Sequence, residues 1–392
     1  MNPAGSPLVD ALRAGLAGRD AYYERLHEHG RAGGGVFFDG YLQGHVVISY
    51  RLCEQLYRHQ AQLGRGRLNL GDEFFAGHDG DAGRARRGLQ VLKAMSIFMN
   101  TDADYAKRRQ RMLAWLARDH GASRLAHVRV LAQEAVERLQ RGAAQEVFQG
   151  SLRPYACGCA AVALGLLPTD DPQVLADGLA VAAFFDGKRP ARAHVLAALE
   201  AADRLADWIA AQLQVERADE AELVADALLL YVAAHESMAY LLYTAQLQIA
   251  SAAAPTPAPA PEPEALSAWL AEAIRIDSPV QMSGRVALAE IRCGDAVFKP
   301  GDKVYLHVGA ANRDPAVFEE PAYFRPGRAV PHLGFGWGTT RCVGSDYAQR
   351  CASEYLAALL QRFSRIGHEA AATAFDHGFS ARGLRQAHFS YT

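Results

Sequence analysis

Cys342 stands among glycines. Gly336, Gly338 and Gly344 frame it in the run from Phe335 to Gly344, whose residues are Phe, Gly, Trp, Gly, Thr, Thr, Arg, Cys, Val and Gly. Glycine lets a backbone approach a flat ligand closely and take positive φ without strain. After Gly344 the residues Ala348, Cys351, Tyr355, Ala358 and Leu359 recur at three- to four-residue spacing, which predicts a helix. A sulfur just ahead of a helix N-terminus meets free backbone N–H groups, whose dipoles favour the thiolate. The thiolate is the form of cysteine that ligates iron axially. A lone cysteine is more often a small buried hydrophobe, so a ligand role needs support from elsewhere in the chain.

Two other pairs have spacing that can do chemistry. Glu236 and Ser237 are adjacent inside an apolar, helix-forming run. A hydroxyl both donates and accepts, so a carboxylate beside it can pass protons to a bound reactant. The simpler role for Ser237 is a hydrogen bond back to the carbonyl of Ala233. Glu272 and Arg275 share a helix face at i and i+3 and can pair. The simpler reading there is a solvated surface pair contributing about 0.3 kcal/mol.

The Cys342 loop resembles the haem-binding signature of the cytochrome P450 family, Phe-x-x-Gly-x-x-x-Cys-x-Gly, through Phe335, Gly338, Cys342 and Gly344, with Gly336 as a common extra. Glu272 and Arg275 resemble the family's Glu-x-x-Arg, and Ala311 to Pro315 its Ala-Asn-Arg-Asp-Pro segment. Ala233 to Ser237 resemble Ala-Gly-x-Asp/Glu-Thr, with Ala234 in place of the glycine and Ser237 in place of the threonine. Arg382 to Arg385 is also typical, so the resemblance spans most of the chain.

The resemblance implies haem b with Cys342 as the metal ligand, Phe335, Gly336, Gly338 and Gly344 shaping the loop, and Ala233 lining the cofactor. It implies proton delivery to dioxygen by Glu236 and Ser237, and a structural role for Glu272 and Arg275. For the haem propionates it implies Arg109 and Arg285, which are retained. Tyr105 and Thr340 stand where the family usually has cations. Tyr323 stands where a further arginine is usual, and Arg328 is a possible substitute. His235 is expected to turn away from the haem into a polar contact.

These residues need elements to hold them. Residues 20–30 and 51–60 read as helices, and Val36 to Phe38 with Gly44 to Tyr50 as a hairpin turned at Asp39-Gly40. Residues 64–88, rich in Gly, Asp and Arg, read as a long loop. From 104 to 250 the pattern is helical, with breaks near Gly121, Gly142, Pro168 and Asp186 to Pro190. The run from Asp219 to Ile249 predicts one long helix, apolar all round at its middle and therefore central. Residues 252–263 alternate proline with small residues and read as an exposed extended connector. A helix over 264–276, strands near 286–291, 296–299 and 303–309, and a helix to 363 complete the chain. The expected fold is one domain over residues 1–392, mainly α with small β-sheets (α+β). By resemblance it is the cytochrome P450 fold, with a long central helix over the haem and the cysteine loop on the opposite side.

The totals agree with that class. With 392 residues and a net charge of −2, the chain is no dedicated nucleic-acid binder. No apolar run of membrane-spanning length and no leader pattern is read, so a cytoplasmic monomer is expected. Six scattered cysteines, with Cys157 and Cys159 as packing residues, fit a reducing compartment. The implied reaction is monooxygenation of a small-molecule, carrier-bound or peptide substrate, with polar or aromatic compounds of secondary metabolism favoured. Electrons would come from a ferredoxin and an NAD(P)H-dependent reductase, docking on a basic patch of Lys107, Arg108, Arg111, Arg341 and Arg350. The alternatives are a peroxygenase using hydrogen peroxide, oxidative coupling or nitration on the same scaffold, and a non-catalytic haem sensor. The substrate cavity is expected between residues 64–100, Phe184 to Gly187, Leu230 to Met238, 280–286, and Gly378-Phe379.

Overall fold

The computed structural model describes residues 6–392 apart from 67, 69, 79, 118–120, 186–190, 252–261 and 376–377. The expected break over Asp186 to Pro190 and most of the proline-rich connector lie outside the described residues. Helices that carry the site are α1 (Tyr50–Arg58), α2 (Ala82–Ala94), α3 (Ala103–Ala117), α4 (Arg153–Leu164), α5 (Pro172–Phe184), α6 (Arg192–Leu213), α7 (Ala221–Ala250), α8 (Pro263–Ile276) and α9 (Ser345–Arg362). The chain is mainly helical, with small sheets at its two ends.

The thirty-residue α7 runs through the middle, and α4, α5, α6, α8 and α9 all pack on it. Its apolarity is matched by burial along both halves, from Val224 and Leu228 to Leu242 and Ala245, while at its middle Leu229, Leu230 and Ala233 are not buried. One core gathers Phe148, Tyr155, Leu242, Trp269, Tyr355 and Phe389 between α4, α7, α8 and α9. A second gathers Leu89, Leu199, Val224 and Leu228 between α2, α6 and α7. Full burial of each such side chain contributes roughly 1.5–3 kcal/mol before the ordering entropy is counted.

The hairpin strands β1 (Val36–Asp39) and β2 (Gly44–Val47) open a five-stranded sheet. Its other members are β3 (Leu63–Gly64), β4 (Ser283–Ala287) and β5 (Lys303–Leu306), and the order is β1-β2-β5-β4-β3. Only the β2–β5 pair is parallel. The Asp39 carboxylate closes the hairpin turn by accepting the N–H groups of Tyr41 and Leu42 at 3.0 and 2.9 Å.

The reading of residues 64–88 as one loop is corrected. A short 3₁₀ turn occupies Asp72–Phe75, and α2 begins at Ala82, with the Asp81 carboxylate capping it by accepting the Arg84 N–H at 2.8 Å. The glycines there serve packing as well as turning. A Cβ on Gly88 would lie 1.7 Å from the Leu199 carbonyl oxygen, so glycine is what lets α2 lie against α6.

Candidate functional site

The Cys342 loop is built by two left-handed glycines, Gly336 at φ 69° and Gly338 at φ 62°. The Cys342 N–H donates to the Phe335 carbonyl at 2.7 Å, and the Gly336 N–H to the Leu333 carbonyl at 2.8 Å. The helix α9 starts three residues after the cysteine. The thiol is exposed on one side and enclosed by the surrounding chain on the others. Burial pushes its pKa up, while the Gly344 N–H, Arg109 and Arg341 act the other way by favouring the thiolate.

A single buried hub holds this loop in place. Arg275 Nε and Nη2 each donate to the Glu272 carboxylate at 2.7 Å. Arg275 Nη1 donates to the carbonyls of Asn312 and Pro321, both at 3.0 Å, and Nη2 also to that of Tyr323 at 3.1 Å. All five guanidinium N–H groups are therefore used. The pair is buried rather than a solvated surface pair. Arg328 is its third member, with Nε 3.0 Å from Glu272. The Tyr323 side chain points outward, and only its carbonyl takes part. From the hub the hydrogen bonds run on to the cysteine. The Asn312 side-chain oxygen accepts the Leu333 N–H at 2.7 Å, and Leu333 in turn holds Gly336. Leu333 was missed from sequence because it lies outside the loop signature, and Asn312, noted there only as part of the Ala-Asn-Arg-Asp-Pro segment, had been given no role in holding the loop.

Beside the loop, cations and phenols gather. Arg285 lies on β4, and Tyr57, at the end of α1, approaches Gly336 and Gly338 closely. Tyr105 and Arg109 come from α3. Arg65, not anticipated from sequence, joins them: its Nη2 donates to the Tyr105 hydroxyl at 3.2 Å, and its guanidinium stacks over the Tyr105 ring at 4.9 Å. Burial holds the Arg285 pKa below the usual range, and the neighbouring Arg65 adds to that. Burial pushes Tyr57 up to about 12, with Arg285 and Arg65 pulling the other way. None of Arg65, Arg109 and Arg285 has a carboxylate ion-pair partner among the described residues. Among the described residues Thr340 Oγ1 bonds only the Trp337 carbonyl, at 3.4 Å.

On α7, Ala233 is exposed although its neighbours Val232 and His235 are buried, which marks an open face at mid-helix. Glu236 pairs with Arg153 of α4. Ser237 Oγ donates to the Ala233 carbonyl at 2.7 Å, the back-bonded arrangement. His235 does not make the expected polar contact: neither ring nitrogen has a partner among the described residues. It is buried edge-on to Tyr231 and against Gly178 of α5. Burial and then Arg153 lower its pKa to about 3, so the ring is neutral.

The basic patch needs one correction. Arg108 is buried, with Nη2 2.7 Å from Asp226 of α7, because its position on α3 faces inward. Lys107, Arg111, Arg341 and Arg350 are exposed. Arg111 lies 3.5 Å from Glu222, and Arg341 3.3 Å from Asp346. In the region expected to hold substrate, Phe98 and Phe185 stack at 6.0 Å, and Phe74, Phe184 and Leu230 are partly buried around the second core. No helix among the described residues is long and apolar enough to cross a membrane.

These residues fit a haem. The thiol is accessible in a glycine cradle, mid-helix Ala233 is open, and guanidinium and phenol groups without carboxylates suit a ligand that carries two carboxylates.

Comparison with known proteins agrees with this geometry. A family profile described as Cytochrome P450 matches residues 248–377. The chain is 34% identical over 152 residues to the biotin biosynthesis cytochrome P450 of Bacillus subtilis, a stretch covering 38% of each protein. It is 33% identical over 159 residues to the beta-dihydromenaquinone-9 omega-hydroxylase of Mycobacterium tuberculosis, covering 40% of this chain and 32% of that one. The aligned stretches thus span well under half of those relatives. Among solved structures, P450BioI bound to an acyl carrier protein ligated with hexadec-9Z-enoic acid superposes with a TM-score of 0.78 at 21% identity, over 95% of this chain and 98% of that one. CalO2 superposes at 0.74 and 20% identity, over 100% and 98%.

Proposed function

We propose that this chain is a member of the cytochrome P450 family, as the profile over residues 248–377 and the relatives at 33–34% identity support, and that it is a haem-thiolate monooxygenase acting on a small organic or carrier-bound substrate. The observation that carries the reading is the accessible Cys342 thiol in its glycine loop, tied by hydrogen bonds to the buried Glu272–Arg275–Arg328 hub. When bound, haem supplies the activation of dioxygen and the insertion of one oxygen atom into substrate, with electrons from a ferredoxin and its NAD(P)H-dependent reductase.

The chain's own residues do the rest. Cys342 would hold the iron as thiolate, the form that the Gly344 N–H, Arg109 and Arg341 favour. Arg109 and Arg285 would hold the haem carboxylates, and the exposed Ala233 would leave room for the cofactor. Glu236, held by Arg153, keeps a carboxylate next to Ser237. Ser237 passes a proton by turning its hydroxyl away from the Ala233 carbonyl, and it lacks the γ-methyl that restricts this rotation in threonine. The partly buried aromatics Phe74, Phe98, Phe184 and Phe185 support an apolar or aromatic substrate. The likeness to the carrier-bound P450BioI structure supports an acyl chain presented on a carrier protein. The exposed Lys107, Arg111, Arg341 and Arg350 support docking of an acidic electron donor.

Reduced-CO difference spectroscopy tests the ligation: the wild type should give the thiolate-type Soret band, and a Cys342→Ser protein should lose it. A variant that kept that band would sink the reading. Spin-state titration with free aromatic compounds and with carrier-bound acyl chains then separates the substrate classes.

A further inference from the structure

We propose that Arg65 is an anchoring cation for the haem carboxylates, taking the place that neutral Tyr105 and Thr340 leave open, and that Tyr105 positions it. The inference rests on the haem reading above and extends it to a residue outside every motif in the chain.

Strand pairing carries the argument. In the antiparallel β3–β4 pair, Leu63 lies opposite Ala287 and Gly64 opposite Val286. Continuing the register by one residue sets Arg65 opposite Arg285, on the same face of the sheet. Like charges directly opposite each other in a sheet are destabilising unless an anion lies with them. The mutual effect is present here, since Arg65 makes the Arg285 guanidinium harder to keep charged. Neither arginine has a carboxylate partner among the described residues. Two uncompensated guanidiniums are held side by side next to the Cys342 loop, which Tyr57 links to them.

Arg65 is also held at a fixed angle. Its Nη1 donates to the Ile97 carbonyl at 3.0 Å, and its Nη2 to the Tyr105 hydroxyl at 3.2 Å, with the Tyr105 ring beneath. Those two bonds use two of five N–H groups, leaving three for a ligand. Tyr105, neutral where a cation is usual, aims a different cation. Arg285 is braced in turn, its Nη1 donating to the Gly284 carbonyl at 2.8 Å. A planar guanidinium held this way suits bidentate carboxylate recognition.

The test is the rate at which holoprotein loses haem to an excess of apomyoglobin. It is run on wild type, Arg65→Gln, Arg65→Lys and Tyr105→Phe, each loaded with haem or with haem dimethyl ester, which carries no carboxylate charge. Arg65→Gln should release haem about tenfold faster than wild type, as loss of one charged hydrogen-bonding group implies. Arg65→Lys should fall between them, and Tyr105→Phe should show about a threefold increase. With the dimethyl ester, wild type and Arg65→Gln should release alike. An equal penalty with haem and ester means that Arg65 only braces its own loop, and overturns the proposal. So does native-haem release from Arg65→Gln at the wild-type rate. If Arg65→Gln does not fold, Arg65→Lys decides on the same haem-versus-ester contrast. A wild-type protein that takes up no haem overturns the premise itself, an outcome distinct from either of these.

Discussion

Three histidines show how far burial sets chemistry at single residues. His235, His307 and His332 have pKa values lowered to about 3, 3 and 4, chiefly by burial. His307 has a defined tautomer: its Nδ1 accepts the Ala310 N–H at 3.1 Å, so its Nε2 carries the proton toward the Tyr22 hydroxyl at 2.8 Å. His235 has no such partners among the described residues, which leaves it the least compensated of the three. An unfolded histidine titrates near ~6.5. Below that pH and above the folded values, the unfolded chain binds more protons, so stability rises with pH across this window. It is complete above the unfolded value and lost as pH falls through the folded ones. The urea midpoint should therefore drop between pH 7 and pH 5, each histidine contributing up to about 1.4 kcal/mol per pH unit. His235→Phe should flatten the slope by about one proton's worth. An unchanged slope in that variant would show that His235 is protonated in the folded state.

Elements meet through glycines, one of which, Gly88, the sequence pattern misassigns to a loop. Gly88 in α2 and Gly178 in α5 sit at helix contacts, not at turns. A Cβ at Gly88 meets the backbone oxygen of Leu199, which cannot yield without moving α6. A Cβ at Gly178 meets only the His235 side chain, 2.3 Å from Cε1. Gly88→Ala should thus cost about 3 kcal/mol, and Gly178→Ala about 1–2 kcal/mol, by chemical denaturation. Adding His235→Ala to Gly178→Ala should recover part of the loss, while no single side-chain truncation should rescue Gly88→Ala. A full rescue of Gly88→Ala would show that the contact is softer than its geometry. Apolar period alone was enough to locate α7, α8 and α9. It was not enough for α2, because glycine reads the same in a loop as in a tight helix crossing.

At the scale of the whole molecule, long-range polar hubs tie distant segments to the core. Glu272, Arg275 and Arg328 join α8 to the segment ahead of the cysteine loop. Asp277 takes the hydroxyls of Tyr23 and Tyr240 at 2.9 and 2.5 Å and lies 3.2 Å from Arg382 Nε. It so connects the helix Arg19–Gly30, α7 and the C-terminal segment. Because every Arg275 donor is used, lysine cannot replace it. Arg275→Lys should cost about 3–5 kcal/mol and release haem during purification. A variant that matched the wild type in both thermal midpoint and haem content would show that the hub does not hold the loop.

The sequence by itself determined which residues are candidates for the chemistry. The cysteine loop, the acid–alcohol pair and the Glu-x-x-Arg pair are each confined to a few residues, so their resemblance to family motifs is legible without knowledge of the fold. Tertiary structure decided which groups act together. Arg328 completes the Glu272 hub, Arg108 turns inward to Asp226, and Arg65 comes to rest beside Arg285. Those outcomes depend on strand register and helix facing between segments far apart in the chain, and local periodicity carries no information about either.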